Sequence, residues 1–196
     1  MTETKELQTG FADVNGTRLY YEVAGTGHPL LLIHGGLVDR RLWGLSGFEP
    51  AEEDKASEAE VDEAIRSGNV ARAVELTLRF WTDGPMRTPE QVNPAVREKV
   101  RAITTRNFER PEDENATQPR ALEPPAISRL SEIHVPTLII VGDQDVRDIL
   151  KIADILEKEI PGAKKVVVPG TAHHLNMEKP EEFNRVVLDF LGSLNQ

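Results

Sequence analysis

Two short apolar runs, each ending in a polar group, constrain this chain more than anything else in it. Pro136-Thr-Leu-Ile-Ile-Val141 runs into Gly142-Asp143-Gln144-Asp145, and Val166-Val-Val168 runs into Pro169-Gly-Thr-Ala-His173-His174. Runs of this length bounded by Gly and Pro suit strands buried on both faces. Between them Ile149, Ile152, Ala153, Leu156 and Ile160 fall at helical spacing, which predicts a helix over 147–160 and a strand–helix–strand unit. In a parallel sheet both strands point the same way. Their polar ends therefore emerge on one carboxyl edge, where ligands bind in open α/β sheets. An acid and a histidine on that edge are two members of a nucleophile–His–acid triad.

The earlier chain supplies more sheet. Residues 11–14 and 17–23 flank Asn15-Gly16, a strong hairpin signal. In the second arm Leu19, Tyr21 and Val23 alternate with Arg18, Tyr20 and Glu22, so one face is expected to be buried. Residues 30–33 read as a further short strand that ends in His34-Gly35-Gly36. Two glycines there let the backbone fold sharply and expose its N–H groups, as an oxyanion hole or as an ordinary tight loop. With 137–141 and 165–168, about five strands are expected.

From Glu49 the character changes. Glu49 to Glu63 carries eight acids against Lys55 alone, which reads as a solvated helix face rather than a cation site. Val61, Ala64 and Ile65, then Val70, Ala73, Val74, Leu76 and Leu78, continue at helical spacing across a break at Ser67-Gly68-Asn69. Thr88-Pro89-Glu90 reads as a helix start, with Val92, Val96, Val100 and Ile103 forming an apolar stripe. Phe80, Trp81 and Phe108 read as packing residues, with substrate contact as the alternative. Residues 109–125 are polar and proline-rich, a linker.

Composition excludes several classes. A net charge of −10 and a pI near 5.0 argue against nucleic acid or an anionic membrane as partner. The absence of cysteine excludes disulfides, thiolate metal sites and thiol nucleophiles. No apolar run approaches the length needed to cross a bilayer, and residues 1–10 lack the apolar core of a signal peptide. A cytoplasmic location is the expectation. Asp143, Asp145 and Asp148 do not follow the calcium-loop pattern, and no zinc spacing, phosphate loop or dinucleotide fingerprint occurs. No metal and no cofactor are expected.

The hairpin, the strand ending in His34-Gly35-Gly36, and Asp39 and Trp43 soon after resemble the opening of an α/β-hydrolase-fold enzyme of the esterase and lipase kind. Val135-Pro-Thr-Leu-Ile-Ile-Val-Gly142-Asp-Gln-Asp145 resembles that family's penultimate strand and acid. Gly170-Thr-Ala-His173, followed by Glu178-Lys-Pro180-Glu-Glu-Phe183, resembles its histidine loop and last helix. The resemblance covers residues 10–43 and 125–194. It implies that His173 is the general base, that Asp145 orients it, and that the amides of Gly36 and Leu37 line the oxyanion hole. Spacing alone leaves His174 beside His173, and Asp143 beside Asp145, as competitors.

The resemblance also exposes a gap. The family's nucleophile sits in G-x-S-x-G on a sharp strand-to-helix turn, and no such pattern occurs here. Gly44-Leu-Ser46-Gly47-Phe48 puts Phe48 where the last glycine belongs, and too few residues separate Ser46 from His34 to fit a strand and crossover. The expected architecture is thus α/β, a partial α/β-hydrolase fold with a mostly parallel sheet. It divides into a core part (1–43), a helical lid with linker (44–124) and a second core part (125–196), without the central block. The expected function is ancestral ester-type hydrolysis of a small-molecule substrate, inactive for want of a nucleophile. An active enzyme using Ser46 and a non-catalytic binding module with acidic lid helices are the alternatives. A strand left without its neighbour would expose an edge that invites pairing with a second copy.

Overall fold

A computed structural model describes residues 7–14, 17–25, 45, 47–110 and 123–194. The chain divides into two compact units, residues 1–35 and 36–196. The expected strand at 30–33, the His34-Gly35-Gly36 loop, Gly36, Leu37 and Ser46 lie outside the described residues.

The first unit is a hairpin of β1 (Gln8–Val14) and β2 (Thr17–Val23), antiparallel, with Gln8 opposite Val23 and Val14 opposite Thr17. β1 begins three residues before the expected start because Gln8, Thr9 and Gly10 find partners in Val23, Glu22 and Tyr21. Phe11 and Tyr20 meet edge to face at 5.5 Å, and the Arg18 guanidinium lies 4.7 Å from the Phe11 ring centre. Among the described residues of the face expected to be buried, Tyr21 is 45% and Val23 49% exposed. A two-stranded ribbon has no layer of its own to cover either face.

The second unit opens with helices. Helix α1 (Glu52–Arg66) places Glu52, Glu53 and Asp54 in its first turn and Arg66 in its last, which matches the helix dipole at both ends. Helix α2 (Val70–Thr77) starts where the Asn69 side chain accepts the Arg72 N–H at 3.1 Å. It runs on as a π-helical turn, Leu78–Asp83, and stops at Gly84 with φ +75°. The helix expected from Thr88 starts later. Pro89–Gln91 forms one 3-10 turn, and α3 (Pro94–Phe108) begins after Asn93, whose side chain accepts the Ala95 N–H. Proline disfavours helical backbone in the residue before it, and Asn93 is extended at ψ 118°, so the chain must restart at Pro94. Val74 of α2 and Leu78 of the π-helical turn interlock with Val96 and Val100 of α3, while Val61, Ala64 and Ala73 join α1 to α2.

The carboxyl part contains β3 (Leu138–Gly142), α4 (Arg147–Glu159), β4 (Lys164–Val168), α5 (Leu175–Glu178) and α6 (Pro180–Ser193). β3 and β4 are parallel, with Leu138 opposite Lys164 and Gly142 opposite Val168, so both carboxyl ends emerge together as the sequence predicts. Burial on both faces holds only at that end. Val141 and Val168 are buried, whereas Leu138, Ile139 and Ile140 are half-buried and Val167 is exposed. Among the described residues the two strands form a sheet of their own, and a strand without neighbours cannot bury its whole length. No described helix is long and apolar enough to cross a membrane.

Candidate active site

The turn after β3 delivers Asp145, and the turn after β4 delivers His173. The two turns are laced together by backbone. Asp143 N–H donates to Val168 O, and Gln144 N–H donates to Thr171 O at 2.9 Å. A Cβ on Gly142 would collide with Thr171 O, so only glycine lets these turns approach so closely. The Asp143 carboxylate accepts the Gly170 N–H at 2.6 Å. It braces the loop and is not the partner of the histidine.

His173 Nδ1 lies 3.0 Å from Asp145 Oδ2. The Asp145 side chain is 2% exposed and its other oxygen accepts the Val146 N–H at 2.8 Å, while the His173 side chain is 20% exposed. A buried carboxylate with both oxygens engaged fixes the ring orientation and selects the tautomer with the proton on Nδ1, which makes Nε2 the basic atom. The structure therefore pairs His173 with Asp145 and gives Asp143 and His174 other partners. His174 Nδ1 faces Thr82 Oγ1 at 3.3 Å. Burial, followed by the neighbouring His173, pushes its pKa down to about 4, so it stays neutral. A histidine held neutral that far below its ordinary range is a poor proton acceptor near pH 7.

The sequence missed what holds His173 from above. Its N–H donates to Trp81 O at 3.2 Å, and its ring lies 4.7 Å from the Trp81 ring. Trp81 belongs to the π-helical turn, so the helical part touches the histidine through backbone as well as ring. Beneath that turn, buried Asp83 pairs with Arg97 at 2.9 Å, and buried Arg87 pairs with Glu178 at 2.6 Å. Glu178 stood in a recognisable motif, but nothing in the sequence singled out Arg87, since Gly170 and Glu178, which it joins to the helical turn, lie more than 80 positions away. Among the described residues no cluster of three or more metal-binding side chains occurs.

No protein-family model matches the chain. It is 27% identical over 123 residues to a Bacillus subtilis protein provisionally named 2-succinyl-6-hydroxy-2,4-cyclohexadiene-1-carboxylate synthase, covering 62% of this chain and 44% of that one. It is 38% identical over 66 residues to monoacylglycerol lipase ABHD6 of Rattus norvegicus, covering 34% and 20%. The chain thus spans less than half the length of these relatives. Among solved structures, an esterase from Exiguobacterium antarcticum superposes with a TM-score of 0.50 at 14% identity, covering 79% of this chain and 52% of that one. A hydrolase from Pseudomonas aeruginosa gives 0.50 at 22%, covering 75% and 52%. These relatives and neighbours agree with one another: the chain has the α/β-hydrolase fold and carries part of it.

Proposed function

We propose that the chain carries the acid–base half of an ester-hydrolysing site, His173 as general base and Asp145 as its orienting acid, and that alone it does not turn over an ester. The observation that supports the first half is the 3.0 Å contact between His173 Nδ1 and the buried Asp145 carboxylate. In such a site the histidine takes the proton from an attacking hydroxyl and returns it to the leaving group, while the acid steadies the imidazolium. The second half is supported by the sequence, which holds no G-x-S-x-G in its 196 residues. Without a nucleophile, at most the residual contribution of binding and oxyanion stabilisation remains. The substrate class is a small ester, in keeping with the esterase and lipase names of its relatives.

Labelling with a fluorophosphonate, read by intact mass on folded and heat-denatured protein, tests this. No adduct on cooperatively folded protein is expected. One adduct confined to the folded sample would establish an activated serine and overturn the inactive reading, and its location at Ser46 would assign the nucleophile.

A further inference from the structure

The guanidinium of Arg87 has five N–H donors, and all five are used. Nε donates to Asp83 O at 2.8 Å. Nη1 donates to Gly170 O at 2.9 Å and to Glu178 Oε2 at 2.6 Å. Nη2 donates to Thr82 O at 2.8 Å and to Glu178 Oε1 at 3.1 Å. The side chains are 8% and 7% exposed, so the pair is desolvated on both sides.

The acceptors fall into two groups that are remote in sequence. Thr82 and Asp83 end the π-helical turn, and Gly170 and Glu178 frame the histidine loop. Thr82 directly follows Trp81, whose carbonyl accepts the His173 N–H. Glu178 Oε1 also accepts the N–H of Ala172, the residue before His173, at 2.9 Å. One planar cation therefore holds the peptides on either side of the Trp81–His173 contact. A buried ion pair of this kind adds little net stability over apolar packing, yet it fixes one geometry because each bond is directional.

We propose that Arg87 is a positioning residue for His173: through Glu178 and the carbonyls of Thr82 and Gly170 it locks the helical turn bearing Trp81 onto the histidine loop, and so aims the imidazole at Asp145. The inference rests on the acid–base reading of His173. Arg87 itself touches none of the reacting atoms. Lysine keeps the charge but not the fork, so Arg87→Lys removes the lock while leaving Glu178 a cation.

The test is the imidazole Nδ1–H resonance of His173 in the whole chain, assigned with His173→Gln and followed by proton NMR. In the wild type a hydrogen-bonded Nδ1–H gives a downfield signal. Arg87→Lys is expected to fold cooperatively and to lose that signal or shift it upfield. Val61→Ala, which loosens the α1–α2 core away from the clamp, is expected to lower the melting temperature and leave the signal where it is. Should Arg87→Lys fail to fold, Glu178→Gln carries the same expectation, because its amide can still accept the Ala172 N–H. A folded clamp variant with an unmoved signal overturns the proposal. A wild type with no such signal instead overturns the His173–Asp145 reading, and the clamp with it.

Discussion

Gly84 lies so close beneath Gln144 that a Cβ on the glycine would overlap the Gln144 carbonyl oxygen. This is where the end of the π-helical turn passes under the loop that carries Asp145. Gly84 also has φ +75° and ψ 167°, a region essentially reserved for glycine. Both constraints act at once, so Gly84→Ala is expected to cost about 2–4 kcal/mol. A urea titration reads this directly, and an unchanged midpoint would mean that the helices do not seat against the acid loop as described.

Leu78 is fully buried between α2 and α3, packed with Val74, Val96 and Val100. Truncation to alanine removes its contacts and leaves a cavity that the two helices cannot fully close. Leu78→Ala should lower stability by about 3 kcal/mol. A loss near zero, measured by chemical denaturation, would place Leu78 outside the core.

Asp54 and Asp148 form an acid pair where α1 meets α4. Asp148 already accepts the Ala51 N–H at 2.7 Å and pairs with Lys151 at 3.0 Å, whereas Asp54 Oδ2 is buried with no hydrogen-bond partner. The pair therefore takes its proton on Asp54, whose pKa rises from 3.8 to about 6, through burial first and the Asp148 carboxylate second. Burial opposes charge on Asp148 too, but the Ala51 amide, Lys151 and Asp54 hold it below the ordinary carboxylate range. Between pH 4 and 6 the folded chain binds the Asp54 proton and the unfolded chain has released it, so this group costs stability as pH rises through that window. Asp54→Asn should gain about 1 kcal/mol on the wild type between pH 4 and pH 7, a figure reduced for solvent screening. Parallel melting curves for both proteins across that range would contradict the pairing.

His174 works in the other direction. Its folded pKa is about 4 against 6.5 when unfolded, so between those values the unfolded chain binds the extra proton. Its contribution is whole above pH 6.5 and is lost as pH falls towards 4, by about 2–3 kcal/mol. His174→Gln keeps a polar partner for Thr82 and removes the titration, so its stability should fall less steeply below pH 6.5. An acid limb as steep as that of the wild type would show that His174 is solvated rather than held neutral.

How much of this the residues announced differs from place to place. Pro136–Val141 and Val166–Val168 could be read as strands because apolar runs between Gly and Pro have few other uses, and their shared direction followed from the helix between them. That an acid and a histidine would meet at one edge was therefore legible. Which acid and which histidine came only from the resemblance to the hydrolase family, because by local pattern Asp143 and Asp145, like His173 and His174, differ by no more than a residue or two. The choice was made by contacts far along the chain: Gly170 N–H takes Asp143, Thr82 takes His174, and Asp145 is left to face His173. Helix periodicity likewise showed that 61–78 and 92–103 are amphipathic, yet not that Trp81 and Arg87 would grip the histidine loop. Periodicity reports which face is buried, and only the packed chain decides what that face is buried against.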